Sequence, residues 1–125
     1  MKTNGTRRVA RLAFALLIVA ASLAAVQAPA NAGSRATCPS GAFCVWTGTN
    51  YSGSRYNLND VGAYNRIYAD PIRSAYNNRS KRTYLNQGTG SSSTYSCFGP
   101  GDYDYSLSGW QVHANSAYLS TTTNC

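Results

Sequence analysis

The sequence predicts a small all-β domain, a sandwich of two Greek-key units held together by disulfides, and three observations support this fold class. The chain has ten Tyr and two Trp but no Glu, a composition that favours strands and turns over helices. No stretch after residue 32 has a long helical period, and turn residues separate its short apolar runs. All four cysteines also lie after residue 32, as expected of a small exported domain stabilised by disulfides.

Residues 1–32 have the layout of a secretory signal. Four basic residues form its start, and Leu12–Val26 is an uncharged apolar run of 15 residues. The small-x-small triplet 30–32 then predicts cleavage before Gly33. A membrane anchor is the alternative, but 15 residues fall short of the roughly 20 that span a bilayer. We therefore expect a secreted, extracellular domain over residues 33–125.

The net charge of this predicted mature domain is small. Four of the eleven basic residues lie in the signal, which leaves seven against four Asp and a charge of +3. Nucleic-acid binding usually requires a clustered basic patch and a high isoelectric point, so we expect no nucleic-acid partner. We also expect no cofactor, no membrane contact after cleavage, and a monomer.

Six segments of the mature chain are predicted strands, because short runs of apolar and aromatic residues alternate with turn signals. They are Phe43–Trp46, Arg55–Leu58, Ser74–Tyr76, Arg82–Asn86, Thr94–Phe98 and Ala117–Ser120. Gly88–Ser93 and Pro100-Gly101 are predicted turns. Short strands at this close spacing favour a sandwich of Greek keys.

A faint internal repeat suggests that the domain consists of two similar units. Tyr68 is followed six residues later by Ser-Ala-Tyr at 74–76, and Trp110 is followed six residues later by Ser-Ala-Tyr at 116–118. The offset is 42 residues in both elements. Units of roughly 40 residues are too short to be separate domains, so we expect them to share one core.

The spacing of Trp46, Tyr51 and Gly53 resembles the signature of a βγ-crystallin Greek key. In that signature two aromatic rings pack on each other at a folded hairpin, and the glycine takes a backbone conformation that a side chain would penalise. A weaker second copy starts at Tyr84, with Gly90 as its turn glycine, and lacks the middle aromatic residue.

The element Cys38-Pro-Ser-Gly-Ala-Phe-Cys44 narrows the resemblance. Followed by an aromatic strand, it is similar to the start of the Streptomyces-type metalloproteinase inhibitors, a secreted βγ-crystallin-like family of actinobacteria. Four cysteines alone allow three pairings. The resemblance implies a local Cys38–Cys44 disulfide beside the first hairpin, and Cys97 must then pair with Cys125. In the chain-entropy model the two rings contribute about 2.4 and about 3.6 kcal/mol.

The resemblance further implies a protein inhibitor of thermolysin-like extracellular proteases. Proven members of the family present a disulfide-bounded loop, in which the protease reads the hydrophobic residue directly after a cysteine. The matching residues here are Cys97 and Phe98, which the resemblance implies as the reactive site, with Gly99–Gly101 shaping the loop. A rigid loop binds tightly because little entropy is lost on docking. The chain departs from the family because no second cysteine follows within a few residues.

This departure leaves two alternatives open. Phe98 can instead be a core residue of a strand. The protein can then be a non-inhibitory βγ-crystallin-like module, which binds cell wall or glycan or acts as a toxin-like antagonist on the same scaffold. A fold resemblance does not decide between these functions.

We expect no metal site. Microbial βγ-crystallins often bind calcium, but the matching positions 69–74 have lost the first acid and carry Arg73 in place of a hydroxyl ligand. Positions 111–116 contain no acid, whereas calcium requires six to eight oxygen ligands with carboxylates among them. Asp102 and Asp104 are predicted to lie on a solvated edge. Zinc is excluded because there is no Cys-x2-Cys pair and His113 is the one histidine.

The remaining polar residues do not predict an enzyme. One His, four Asp and no Glu leave little for acid–base chemistry, and no nucleophile-elbow pattern occurs. An enzyme would require His113 beside a Ser and an Asp. The basic cluster near Tyr76 and Tyr84 is predicted to be a solvated loop; its members are Arg73, Arg79, Lys81 and Arg82.

Overall fold

The computed structural model describes residues 33–91 and 94–125, so the predicted signal lies outside the described residues. Eight strands follow in chain order: β1 Phe43–Trp46, β2 Arg55–Leu58, β3 Tyr64–Arg66, β4 Ser74–Asn77, β5 Thr83–Asn86, β6 Tyr95–Phe98, β7 Tyr103–Asp104 and β8 Ser116–Leu119. The helices of this part are short 3-10 turns at Arg35–Thr37, Thr49–Tyr51 and Gly109–His113. The predicted all-β class is confirmed, and the six predicted strands agree with the structure to within one residue at each end.

The strands form two antiparallel four-stranded sheets. The first has the order β2-β1-β4-β7 and the second the order β3-β8-β5-β6. Each half of the chain therefore places three strands in its own sheet and lends its third strand to the other sheet. The core lies between the two sheets, as in other two-layer domains.

The strand register repeats between the two halves. Phe43 of β1 faces Leu58 of β2, and Thr83 of β5 faces Phe98 of β6. The lent strands also occupy equivalent places, because β7 pairs with β4 and β3 pairs with β8. This agreement gives the 42-residue sequence repeat a structural basis.

The repeated Ser-Ala-Tyr tripeptide has the same role in both halves. Ser74 Oγ donates a hydrogen bond to the Gly48 carbonyl (2.7 Å), and Ser116 Oγ donates one to the Gly88 carbonyl (2.6 Å). Each serine thus ties the last strand of its half to the hairpin that follows the first strand. Gly88 is therefore the counterpart of Gly48.

The core between the sheets is aliphatic and aromatic. Its larger members come from strands of both sheets or the loops beside them: Phe43, Val45, Leu58, Ile67, Ile72, Leu85, Phe98, Leu107 and Leu119. Phe43 and Phe98 meet edge to face with ring centroids 5.3 Å apart. Burial of these side chains supplies the main stabilisation of a domain this small.

The N-terminal segment covers the outer face of the first sheet. The Cys38–Cys44 disulfide joins it to β1, with a Cα–Cα distance of 5.9 Å. The Arg35 guanidinium lies over the rings of Tyr103, Tyr76 and Tyr51, at 3.9, 5.5 and 5.9 Å from their centroids. Cation–π contacts of this kind hold the segment on the sheet.

Arg79 is not part of a solvated loop, and that prediction is wrong for this residue. Its side chain is 7% exposed and donates hydrogen bonds to the carbonyls of Arg82 and Ser120 and to Thr83 Oγ1, at 2.7–2.9 Å. Burial lowers the pKa of the guanidinium below its ordinary value. Arg73 and Lys81 of the same cluster are exposed.

Candidate functional site

The hairpin after β1 brings together the three residues of the aromatic signature. Trp46 and Tyr51 pack edge to face, with centroids 5.2 Å apart and an interplanar angle of 70°. Gly53 has a φ of +75°, and a Cβ at this position would overlap Thr47 Oγ1. Both the rings and the glycine therefore shape the hairpin, which is a structural rather than a ligand-binding arrangement.

Tyr51 carries a polar group that the fold does not pair. Its phenol oxygen is buried without a hydrogen-bond partner in the described part of the chain, whereas its amide donates to Ser74 Oγ at 3.0 Å. Burial raises the pKa of the phenol above its ordinary value near 10.0, and nearby Arg35 partly opposes this rise.

We expect Tyr51→Phe to keep or raise the free energy of unfolding, by up to about 1 kcal/mol, because it removes an unpaired buried hydroxyl. The advantage of the variant should grow above pH 10. There the phenol of the unfolded wild type ionises at lower pH than that of the folded wild type, so wild-type stability falls as pH rises. Urea unfolding between pH 8 and 11 measures this difference. Tyr105→Phe, at a 58% exposed tyrosine, is the control for the loss of an exposed phenol.

The predicted reactive-site residues, Cys97 and Phe98, lie at the end of β6. Cys97 is bonded to Cys125 with a Cα–Cα distance of 5.8 Å, and this is the pairing that the resemblance implied. Phe98 is 6% exposed and packs on Phe43 in the core. A side chain in this position cannot enter a protease subsite, so the structure does not support Phe98 itself as the contacting residue.

The exposed chain directly after Phe98 is a tight turn over Gly99–Asp102. The Asp102 amide donates to the Gly99 carbonyl (3.1 Å), and the Gly99 amide donates to Asp102 Oδ2 (2.7 Å). Gly101 has a φ of +79°, a value that suits glycine. Pro100, Gly101 and Asp102 are exposed at its tip. We name residues 99–102 the β6–β7 turn.

Asn77, at the end of β4, supports the β6–β7 turn from below. Its side chain is fully buried, and its Nδ2 lies 2.8–2.9 Å from the carbonyl oxygens of Lys81, Phe98 and Gly99. Its backbone amide donates to the Asp102 carbonyl and its carbonyl accepts from the Gly101 amide, both at 2.9 Å. One buried residue therefore holds both ends of the turn.

The sequence contains a signal for the role of Asn77. The 42-residue repeat aligns Asn77 with Leu119, which is fully buried in the core. An amide at a position where the repeat places an apolar residue indicates a buried polar group with dedicated partners. Thr83 Oγ1 completes the set by donating to Asn77 Oδ1 at 3.2 Å.

Comparison with known protein families identifies the chain. Residues 31–98 match the family model of "Peptidase inhibitor family I36", which is more than half of the chain. The protein belongs to peptidase inhibitor family I36. The search of curated proteins and the search of solved structures returned no match.

Membership of family I36 settles two of the sequence predictions. The resemblance to the Streptomyces-type metalloproteinase inhibitors is confirmed, and a member of an inhibitor family is not an enzyme. The matched segment runs through β1–β6 and ends at Phe98. The β6–β7 turn of this I36 member therefore begins at the residue after the match.

The remaining candidate residues of the I36 protein lie elsewhere. His113 Nδ1 lies 2.6 Å from Asp70 Oδ1 on the surface, with 67% and 61% of the side chains exposed. Asp102 accepts from the turn, and Asp104 Oδ1 accepts from the Ser106 amide at 2.8 Å. Within residues 33–91 and 94–125 no cluster of three or more His, Cys, Asp or Glu could hold a metal ion. In the same segments no helix is long and apolar enough to cross a membrane.

Proposed function

We propose that this I36 inhibitor blocks a thermolysin-like metalloprotease with the chain next to Cys97-Phe98. In this proposal the β6–β7 turn contacts the protease cleft. Phe98 supports the turn from the core, and Cys97 tethers it through the disulfide to Cys125. The metalloprotease target follows from the resemblance at Cys38–Cys44. The family membership supports a protease as the partner.

The observation that carries the proposal is the rigidity of an exposed turn. Inhibitors that act as rigid loops lose little conformational entropy on docking, so more of the contact energy is retained as affinity. In related inhibitors a small disulfide supplies this rigidity. Here the buried amide of Asn77, with hydrogen bonds to the Phe98 and Gly99 carbonyls at 2.8–2.9 Å, takes its place.

We further propose that the protein is secreted as a monomer and that its two halves are βγ-crystallin Greek keys. Two disulfides fit an oxidising compartment, and the predicted signal over residues 1–32 provides the export route. The exchange of β3 and β7 between the sheets and the packed pair Trp46–Tyr51 support the Greek-key assignment.

The test is an inhibition assay with the purified, oxidised protein and two matched variants. Pro100→Arg places a long charged side chain on the exposed β6–β7 turn. Val61→Arg makes the same kind of change at a 57% exposed residue beside β3, on the opposite edge of the second sheet from β6. We expect inhibition of a thermolysin-like protease to weaken about tenfold or more in Pro100→Arg, because interface centres tolerate an unpaired charge poorly.

The three possible outcomes separate the candidate functions. Inhibition that survives Val61→Arg and weakens in Pro100→Arg supports the turn as the reactive site. Equal inhibition by wild type and Pro100→Arg places the protease contact elsewhere on the domain. No inhibition of metallo- or serine proteases by the folded wild type contradicts the proposal and favours the non-inhibitory binding module.

A further inference from the structure

The outer face of the second sheet carries a row of tyrosines that crosses all four strands. Tyr64 of β3 faces Tyr118 of β8, which faces Tyr84 of β5 on its other side. Tyr95 of β6 extends the row, since its ring meets that of Tyr84 edge to face with centroids 5.1 Å apart. The rings of Tyr64 and Tyr118 are 4.9 Å apart. We name these four residues the tyrosine face.

The tyrosine face forms the wall of a cleft that is open to solvent. With Asn86, the four tyrosines line a cleft of about 280 Å³, which is below the usual range for drug-sized ligands and suits a single ring. Tyr64 and Tyr95 are 44% and 55% exposed. Exposed aromatic groups that are contiguous in this way mark interaction sites in soluble proteins.

The first sheet provides an internal comparison for this face. Its equivalent pair, Tyr76 facing Tyr103, is contacted by the protein's own N-terminal segment, with Arg35 over both rings, although Tyr103 remains 53% exposed. No equivalent segment crosses the tyrosine face in the described parts of the chain, because the cleft there is lined by the sheet residues alone. The chain itself therefore contributes a cation to the tyrosines of the first sheet, whereas no described segment outside the second sheet lines the cleft of the tyrosine face.

The charges around the tyrosine face restrict the charge of a ligand that could bind there. The Arg82 guanidinium lies 4.9 Å from the Tyr84 centroid, and Arg66 lies two residues after Tyr64 on the same face of β3. The residues that line the cleft include no carboxylate. A second cation, such as a lysine of a partner, would meet like charges, so the face fits an uncharged or anionic ligand.

The hydroxyl groups of the tyrosine face favour a ligand that can form hydrogen bonds. None of the four phenol oxygens has a hydrogen-bond partner within residues 33–91 and 94–125. A pyranose ring presents C–H groups on its faces, which pack on aromatic rings, and hydroxyls on its rim, which both donate to and accept from phenols. A proline-rich peptide offers the apolar contact but few donors.

We propose that the tyrosine face binds a sugar ring of an extracellular polysaccharide, with Tyr64, Tyr84, Tyr95 and Tyr118 as the contacting residues. The inference is independent of the inhibitory turn, which lies after β6. A protein with both sites would be held on a glycan surface while its turn remains free for a protease.

The experiment measures retention of the purified, oxidised protein on immobilised polysaccharides, with neutral chitin and cellulose in one arm and anionic polygalacturonate in the other. We expect the double variant Tyr64→Ala/Tyr95→Ala to bind about tenfold more weakly than wild type, because two ring contacts are lost. The matched control is Tyr103→Ala/Tyr105→Ala, at tyrosines 53% and 58% exposed outside the face, and it should bind as wild type. Thermal unfolding checks that both variants are folded.

The dependence of binding on salt concentration distinguishes a neutral from an anionic polysaccharide ligand. Binding to an anionic chain should weaken as salt rises, through Arg66 and Arg82, and binding to a neutral chain should not. The proposal is overturned if the wild type binds neither arm, or if the double variant binds as well as wild type. It is also overturned if the double variant weakens protease inhibition without any glycan retention, since the face is then a protein contact. Pro100→Arg should leave glycan retention unchanged, so the two proposals fail separately.

Discussion

Phe98→Ala is expected to lower the free energy of unfolding by about 3–5 kcal/mol, the cost of truncating a buried phenylalanine. Phe98 is 6% exposed and contacts Phe43 across the two sheets, so the variant leaves a cavity in the centre of the core. Urea unfolding of the oxidised protein measures the loss. Tyr95→Ala, in the same strand but 55% exposed, is the matched control and should cost well under half as much.

Two substitutions of Phe98 distinguish a role in supporting the turn from direct contact with the protease. Phe98→Leu keeps an apolar side chain in the core and should cost about 1–1.5 kcal/mol. Its folded molecules should inhibit the protease as well as wild type. A Phe98→Ala protein as stable as wild type that has lost inhibition would instead show that Phe98 leaves the core to meet the protease, contrary to the structure.

Asn77→Asp is expected to cost about 3–5 kcal/mol, comparable to leaving an uncompensated charge in a protein interior. The substitution keeps the shape of the side chain but replaces a donor by an acceptor facing the carbonyls of Lys81, Phe98 and Gly99. Three backbone oxygens then lose their donor. Chemical unfolding measures the loss, and Asn59→Asp, at an exposed position, is the control with little expected effect.

The pH dependence of Asn77→Asp checks the cause. Burial among carbonyls raises the pKa of the new carboxyl above the ordinary value of about 3.9. The destabilisation should therefore be complete above the folded-state pKa and should diminish as pH falls through it. A loss that does not depend on pH would assign the effect to altered packing. Folded Asn77→Asp should also inhibit more weakly than Asn59→Asp, because the β6–β7 turn loses its support.

The sequence predicted the longer strands because they carry aromatic and apolar residues between turn signals. It missed β3 and β7, which have three and two residues and take their pairing from a strand of the other half. The residues of Tyr64–Arg66 and Tyr103–Asp104 alone do not indicate a pairing partner in the other half of the chain. A period of 2 needs more residues than these to become visible.

The candidate site shows a similar division between local and long-range information. Cys97 and Phe98 were predicted as the reactive site through a local match, but local residues do not tell whether a ring points to the core or to a protease. Arg79 was misplaced because its acceptors, the Arg82 and Ser120 carbonyls and Thr83 Oγ1, are brought together by the fold, which charge and composition do not reveal. Asn77 and Arg79 each have at least one partner far along the chain, Phe98 and Ser120 respectively, which is why composition assigns such polar residues to the surface.

The exchange of β3 and β7 between the two sheets also affects the susceptibility of the protein to proteolysis. Proteases cleave extended chain that has opened from the fold, and many proteins open one subdomain at a time. Here neither half can open alone, since each sheet would lose an edge strand that belongs to the other half. Cleavage within the sandwich should therefore follow complete unfolding rather than partial opening. We therefore expect this exchange of strands to slow digestion of the folded protein.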